Sequence, residues 1–257
     1  MNFSSAACRL TAGRLVALLV SILVLEMWPT LPAAASTAPR PLHEDVTAFL
    51  KKVVTPDGQV NYTAAGHEAA ALQTLIHRVQ HFDIAGATAS ERKAFYLNAY
   101  NLTVIKAVAD AYPLTSVMKL PGFFDKKEHA IAGELLTLNE LENKLRKVYA
   151  DPRIHFALVC GARSCPRLRA EAYAPAVLDA QLTNQARKVL QDPLFIWVEA
   201  STNKVLVSEI FKWYEADFKA TGKSTLAYIN QYRGAKLIPV NAALDFYSYD
   251  WTLNDRK

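Results

Sequence analysis

One long helix, apolar almost all the way round, is the feature that most constrains this chain. Residues 88–91 are Thr-Ala-Ser-Glu, the spacing of a capping box, in which Thr and Glu side chains bind the free backbone amides at a helix start. Pro113 cannot continue a helix and restricts Tyr112 before it, so the helix should end there. Residues 94–108 are apolar on nearly every side. We therefore expect this helix to be buried at the centre of the fold.

The other patterns predict a single α+β domain over residues 42–257. Amphipathic spacing predicts further helices at residues 42–53, 68–82, 138–149, 175–191, 208–220 and 224–232. Apolar segments around turn residues predict hairpins at 128–137 and 195–207, and the alternating end of the chain predicts a strand at 245–251. The near-continuous apolar run 154–160 is expected to be the central strand. The predicted fold is a small, mainly antiparallel sheet packed by several helices around one central buried helix.

The first 35 residues are expected to be a secretory signal peptide. Arg9 and Arg14 precede an apolar run at 15–25 that is short for a membrane span, and three alanines at 33–35 offer a cleavage site. Residues 36–41 are expected to be a disordered leader. These features predict an exported, periplasmic protein that has no membrane association after cleavage.

The charge of the chain excludes some partners. Cleavage would remove two basic residues and one acidic residue, so the net charge would fall from +5 to +4. This charge is spread along the chain without a basic patch or a reading motif, so no nucleic acid is expected as a partner. The expected partner is a small-molecule or peptide substrate, and the sequence does not predict the oligomeric state.

Cys160 and Cys165 flank a short loop that follows the predicted central strand. Arg163 beside them would favour a thiolate, and together with the amides of Gly161 and Ser164 it could bind an anion. Three interpretations stay open: a reactive Cys165 with Cys160 as resolving thiol, a structural Cys160–Cys165 disulfide, and a metal site. The spacing fits no familiar motif and there is no second cysteine pair, so no metal and no cofactor is predicted.

Two further sets of polar residues are candidates for a site. His155 follows Asp151-Pro-Arg, which could orient its imidazole, and is either a buried histidine with satisfied hydrogen bonds or a catalytic base. Asn98 and Asn101 share one stripe of the central helix, where an unpartnered amide costs about 1–3 kcal/mol. They form either a structural network or a pair of amides that polarises a substrate carbonyl.

The helix at 138–149 offers less chemistry. Glu140 has the spacing of a capping residue after Thr137. Glu142 and Arg146 are four residues apart, which predicts an ion pair on a solvated face.

These segments together resemble the uncharacterised family catalogued as domain of unknown function 547. The resemblance is carried by residues 94–101, 141–146, 151–155, 160–166, 208–218 and 249–254. The family has no established activity, but related domains occur in longer proteins with glutaredoxin-like modules, which implies a thiol or glutathione connection. The family often has His directly after the Leu-Glu pair, where this chain has Asn143. A catalytic histidine at that position would therefore be missing here.

Two functional hypotheses follow. The first is an exported cysteine-dependent hydrolase or thiol-transfer enzyme, with Cys165 as nucleophile, His155 as base, Asn98 and Asn101 as polarising amides and Arg163 as anion anchor. The second is a non-catalytic periplasmic binding or scaffold module, in which the two cysteines form a structural disulfide and the asparagines form a network.

Overall fold

The secondary structure is known for residues 40–256, the part of the chain that this computed structural model describes. The predicted signal peptide and most of the predicted leader lie outside the described residues. The helices are α1 (Leu42–Val53), α2 (Tyr62–His67), α3 (Ala69–Gln80), α4 (Ala89–Asp110), α5 (Leu138–Tyr149), α6 (Ile154–Ala157), α7 (Leu178–Gln191), α8 (Ile210–Trp213), α9 (Glu215–Lys219) and α10 (Thr225–Asn230). The strands are β1 (His129–Ile131), β2 (Glu134–Leu136), β3 (Ile196–Glu199), β4 (Lys204–Ser208) and β5 (Ala243–Tyr247).

The fold is α+β, as predicted, with α4 at its centre. Both hydrogen bonds of the predicted capping box are present: Glu91 N–H donates to the Thr88 hydroxyl, and the Glu91 carboxylate accepts from Thr88 N–H. Between Ala94 and Val108 every residue except Lys106 is buried. Helices α1, α2, α3 and α5 pack against α4. A helix with apolar residues on all sides is stable only when other elements cover each of those sides.

Two small sheets flank this helical core. Strands β1 and β2 form the first predicted hairpin, and its turn lies at Ala132 and Gly133, whose φ angles of 49° and 80° are those of a tight hairpin turn. Strands β3 and β4 form the second predicted hairpin, and β5 adds to β4 in parallel. The terminal strand therefore starts and ends earlier than the predicted 245–251, and the segment from Ser248 onward is free to turn towards the cysteine loop.

The prediction of a central strand at 154–160 is wrong. Residues Ile154–Ala157 form the helical turn α6, which starts where Asp151 accepts hydrogen bonds from Arg153 N–H and Ile154 N–H. An apolar run of this length has the same composition in a buried helix turn as in a buried strand, and periodicity cannot separate the two. The Asn101 side chain of α4 binds the Ala157 carbonyl and Val159 N–H, and the Gln185 side chain of α7 donates to the Phe156 carbonyl. Side-chain amides rather than a neighbouring strand therefore hold the backbone of residues 156–159.

The helix predicted at 208–220 is also divided. Helices α8 and α9 are separated at Tyr214, which has a non-helical backbone (φ −113°, ψ 27°). Ile210, Trp213 and Tyr214, which lie before and at this break, line the cavity described below. Asp217 lies after the break, in α9, and does not line it.

Candidate functional site

A cavity of about 260 Å³ lies where α5, α6, the α8–α9 break, the cysteine loop and the C-terminal segment meet. Its walls combine aromatic rings, a carboxylate, an imidazole and both sulfurs. The lining residues are Tyr100, Phe124, Asn139, Glu142, His155, Leu158, Cys160, Cys165, Pro166, Ile210, Trp213, Tyr214, Tyr249 and Trp251. Six of these residues come from segments before residue 160 and eight from residue 160 onward, so the site forms only when the whole domain folds.

Cys160 and Cys165 are joined by a disulfide with an S–S distance of 2.14 Å. Cys165 is buried, with 6% of its surface exposed, and Cys160 is half-buried. The loop between them turns at Gly161, whose φ of +85° disfavours any residue with a Cβ, and a Cβ there would also meet Val117 at 3.0 Å. Of the three interpretations of the two cysteines, the structure therefore agrees with the Cys160–Cys165 disulfide. Both cysteines line the cavity.

Two hydrogen-bond donors point at the disulfide. The backbone N–H of Cys160 lies 3.1 Å from the Cys165 sulfur, and the Tyr249 hydroxyl lies 3.2 Å from that sulfur. The same hydroxyl is 3.3 Å from the Cys160 sulfur. Donors at this distance stabilise a negative charge on sulfur, so an opened disulfide would leave a stabilised thiolate at Cys165.

His155 is fixed by Asp217, a residue 62 positions away. The imidazole Nε2–H donates to the Asp217 carboxylate at 2.8 Å, and the ring stacks on Tyr214 with 4.0 Å between centroids. Burial lowers the pKa of His155 to about 4, although the Asp217 carboxylate acts in the opposite direction. The imidazole is therefore neutral at pH 7, and its Nδ1 is available as an acceptor. Arg146 in turn holds Asp217 through two hydrogen bonds of 2.6 and 3.1 Å.

The expectation that Asp151 orients His155 is wrong. The Asp151 carboxylate instead binds Lys93 at 2.6 Å and Arg153 at 2.8 Å, which anchors the start of α6. The sequence signal for Asp217 was weak, because Asp217 lies in a stripe of aromatic residues that is typical of core packing.

Glu142 does not lie on a solvated face, as the sequence predicted. Its side chain is half-buried and lines the cavity. Burial raises the pKa of its carboxyl, whereas a hydrogen bond from the Tyr214 hydroxyl and the charge of Arg146 act to lower it. The predicted Glu142–Arg146 pair is replaced by the pair of Arg146 with Asp217.

Asn98 and Asn101 lie away from the cavity. The Asn98 side chain accepts from Tyr173 N–H and donates to the Tyr173 carbonyl, both at 2.8 Å. The Asn101 side chain donates to the Ala157 carbonyl at 3.0 Å and accepts from Val159 N–H at 2.9 Å. Both amides are therefore committed to backbone groups, which matches the network interpretation and does not give them access to a substrate in this cavity.

The structure does not gather Gly161, Arg163 and Ser164 into an anion site at the cavity. Their backbone groups pair with the C-terminal segment: Arg163 N–H donates to the Thr252 carbonyl, Ser164 N–H donates to the Asp250 carbonyl, and the Gly161 carbonyl accepts from Asn254 N–H. The exposed Arg163 side chain lines an outer groove on the other face of the loop. The Ser164 amide, one of the two that were expected to bind an anion, is thus occupied.

Within residues 40–256, no group of three or more His, Cys, Asp or Glu side chains is arranged to hold a metal ion. None of the helices in this range has the length and apolar character needed to cross a membrane.

Comparison with known proteins gives one match. No curated protein and no solved structure matches the chain. Residues 84–190 match the model of a family described as protein of unknown function, DUF547, which confirms the resemblance over that segment. The matched segment supplies Glu142, His155 and the disulfide, whereas Asp217 and Tyr249 come from the residues after it. Over residues 84–190 the chain is therefore similar to the DUF547 family, whose description assigns no activity.

Proposed function

We propose that this protein is a thiol–disulfide exchange enzyme that acts on a small thiol substrate in the cavity. The observation that carries the proposal is the position of the Cys160–Cys165 disulfide in the cavity wall, with two hydrogen-bond donors aimed at the Cys165 sulfur. A disulfide that only clips a loop needs neither an adjoining cavity nor donors for a thiolate.

The substrate enters as its thiolate, formed in solution, because a His155 imidazole with a pKa of about 4 is a weaker base than the thiolate. The substrate thiolate attacks the Cys160 sulfur, the Cys160–Cys165 bond breaks, and Cys165 leaves as a thiolate stabilised by Cys160 N–H and the Tyr249 hydroxyl. Cys165 then takes a proton from solvent. A second substrate thiol attacks the mixed disulfide, which releases the substrate disulfide and the Cys160 thiol. Because exchange is reversible, a disulfide substrate oxidises the pair again by the same steps in reverse.

This assignment exchanges the roles that the sequence predicted for the two cysteines. The half-buried Cys160 carries the sulfur that a substrate can reach. Cys165 is 6% exposed, and both hydrogen-bond donors, Cys160 N–H and the Tyr249 hydroxyl, lie next to its sulfur. Attack on a disulfide is fastest where the attacked sulfur is accessible and the leaving sulfur is a stabilised thiolate.

Two single variants test the proposal. The protein is incubated with a mixture of 2-mercaptoethanol and the disulfide of 2-mercaptoethanol. Free thiols are then blocked with iodoacetamide, and the mass of the intact protein is measured by mass spectrometry. We expect the native disulfide to open and close with the redox mixture, and Cys165→Ser to form a mixed disulfide at Cys160. The matched variant Cys160→Ser, whose remaining sulfur is buried, should form at least ten-fold less adduct. A native disulfide that opens only when urea unfolds the chain would refute the proposal.

The burial of Cys165 favours a second candidate, a non-catalytic binding or scaffold module with a structural disulfide. The pairing of the cysteine loop with residues 250–254 is consistent with a static clip. This candidate predicts that neither single variant forms an adduct in the folded state, so the same experiment separates the two functions.

We further propose that the protein acts after export to the periplasm. The basic residues, apolar run and alanine site at residues 1–35 support this proposal. A disulfide is also more readily maintained in an oxidising compartment. Fractionation of cells that produce the full chain, with intact mass of the recovered protein, tests it; a cytoplasmic protein that retains residues 1–35 would contradict it.

A further inference from the structure

We infer that the cavity selects an organic ammonium ion, so that the exchange substrate is a small aminothiol or its disulfide. This inference rests on the proposed exchange function for the thiol part of the substrate. Its basis is the combination of one carboxylate and several aromatic faces, with no lysine or arginine, among the described residues that line the cavity.

The first observation is the set of charged side chains in and beside the cavity. Glu142 is the carboxylate among the lining residues, and these residues include no lysine or arginine. Arg146 is the neighbouring cation, but it is bound to Asp217 by two hydrogen bonds, and its guanidinium lies over the Tyr214 ring at 4.8 Å. His155 is neutral because burial lowers its pKa to about 4. The cavity is therefore electronegative when Glu142 is ionised.

The second observation is the cluster of aromatic rings in the cavity wall. Trp213, Tyr249 and Trp251 contact one another, with ring centroids 4.9 Å, 4.8 Å and 6.0 Å apart. Tyr100 and Phe124 add further ring surface. The face of an aromatic ring is electron-rich and attracts ammonium groups, tryptophan most strongly. Trp213 is 44% exposed, so this wall reaches solvent and a ligand can approach along it.

The third observation is the weak pairing of Glu142. A carboxylate removed from water is unfavourable unless an opposite charge or several donors compensate it. Burial raises the pKa of the Glu142 carboxyl more than the Tyr214 hydroxyl and the charge of Arg146 lower it, and the Arg146 guanidinium itself is paired with Asp217. An ammonium ligand would supply a cation for Glu142, whereas a carboxylate ligand would meet repulsion from Glu142.

The size of the cavity limits the ligand. Its volume of about 260 Å³ lies below the range of about 300–1,000 Å³ that holds drug-sized ligands. A molecule with an amine and a thiol separated by a short chain fits such a space, and Cys160 and Glu142 both line it. The arginines of the cysteine loop face the outer groove, so they give no reason to expect an anionic thiol in the cavity.

The first experiment compares three reducing thiols of different charge. Opening of the disulfide is timed with cysteamine, 2-mercaptoethanol and 3-mercaptopropionate, and each rate is divided by the rate with the urea-unfolded protein to remove the intrinsic reactivity of the thiol. We expect cysteamine to exceed 3-mercaptopropionate by at least ten-fold. Glu142→Gln should reduce this ratio to within two-fold. The control Glu215→Gln removes the same charge from an exposed residue next to Tyr214 and should keep the ratio.

The second experiment needs no thiol chemistry. Binding of 2-(methylthio)ethylamine and of its neutral counterpart 2-(methylthio)ethanol to the oxidised wild-type protein is followed by the fluorescence of Trp213 and Trp251. We expect the amine to bind at least ten-fold more tightly. If the amine binds in this way but the disulfide does not exchange, the exchange function fails and the ammonium site stands. Equal binding of the two compounds, or faster opening by the anionic thiol, overturns the inference even if exchange with 2-mercaptoethanol is observed.

Discussion

His155 couples the site to the stability of the fold through its protonation. Burial lowers its pKa from 6.5 to about 4. Between those two pH values the unfolded chain binds a proton that the folded chain does not, so stability that is complete above pH 6.5 is lost as the pH falls towards 4. A shift of this size corresponds to about 3 kcal/mol. We expect the unfolding free energy, measured by urea titration, to fall by up to this amount as the pH is lowered from 6.5 to 4.

The variant His155→Phe isolates this contribution. It removes the titrating group while Glu142 and Asp217 still titrate in both proteins, so we expect its unfolding free energy to depend less steeply on pH between 6.5 and 4. Parallel curves for the two proteins would mean that His155 is not buried as a neutral group.

The residues of the site illustrate what could be inferred from the sequence. Cys160, Cys165 and His155 stood out because thiols and a histidine near an apolar run are uncommon. Glu142 and Asp217 did not, since an acidic residue four positions from an arginine and an acidic residue among aromatics are both common on helix surfaces. Their role depends on the α8–α9 break and on a pairing across 71 residues between Arg146 and Asp217, which no local pattern encodes.

At the scale of elements, side-chain amides replace a strand in holding the segment before the cysteines. Asn101 binds Ala157 and Val159, and Gln185 of α7 donates to the Phe156 carbonyl at 3.0 Å. The sequence predicted both hairpins and the helices other than the divided one at 208–220 correctly, because capping boxes, amphipathic spacing and turn residues are local signals. It failed at 154–160, because the partners of that backbone are amides from two distant helices.

This arrangement predicts a large effect of one substitution. Asn101→Ala leaves the Ala157 carbonyl and Val159 N–H buried without partners, so we expect a loss of about 2–4 kcal/mol in unfolding free energy, the sum of two unsatisfied groups of about 1–3 kcal/mol each with partial relaxation. The control Asn184→Ala changes an exposed residue of α7 and should cost less than about 0.5 kcal/mol. Similar urea midpoints for the two variants would contradict the proposed support of this segment.

At the scale of the whole molecule, the disulfide is a small part of what stabilises the fold. It joins residues only five positions apart, and closing so short a loop is worth about 2 kcal/mol by chain entropy. The same loop is held independently by hydrogen bonds from Arg163 and Ser164 to the C-terminal segment, and α1, α2, α3 and α5 pack against α4 without this bond. Reduction should therefore open the bond without unfolding the domain, as an exchange enzyme requires.

The double variant Cys160→Ser/Cys165→Ser tests this property of the whole fold. We expect it to keep the far-ultraviolet circular dichroism of the wild type and to melt about 4–8 °C lower, since 1 kcal/mol shifts the melting temperature of a domain of this size by about 2–4 °C. Wild-type protein held in reductant should melt at the same temperature as the double variant. If the double variant were instead unfolded at 25 °C, the disulfide would be a structural requirement, and a catalytic cycle that breaks it in every turnover would be untenable.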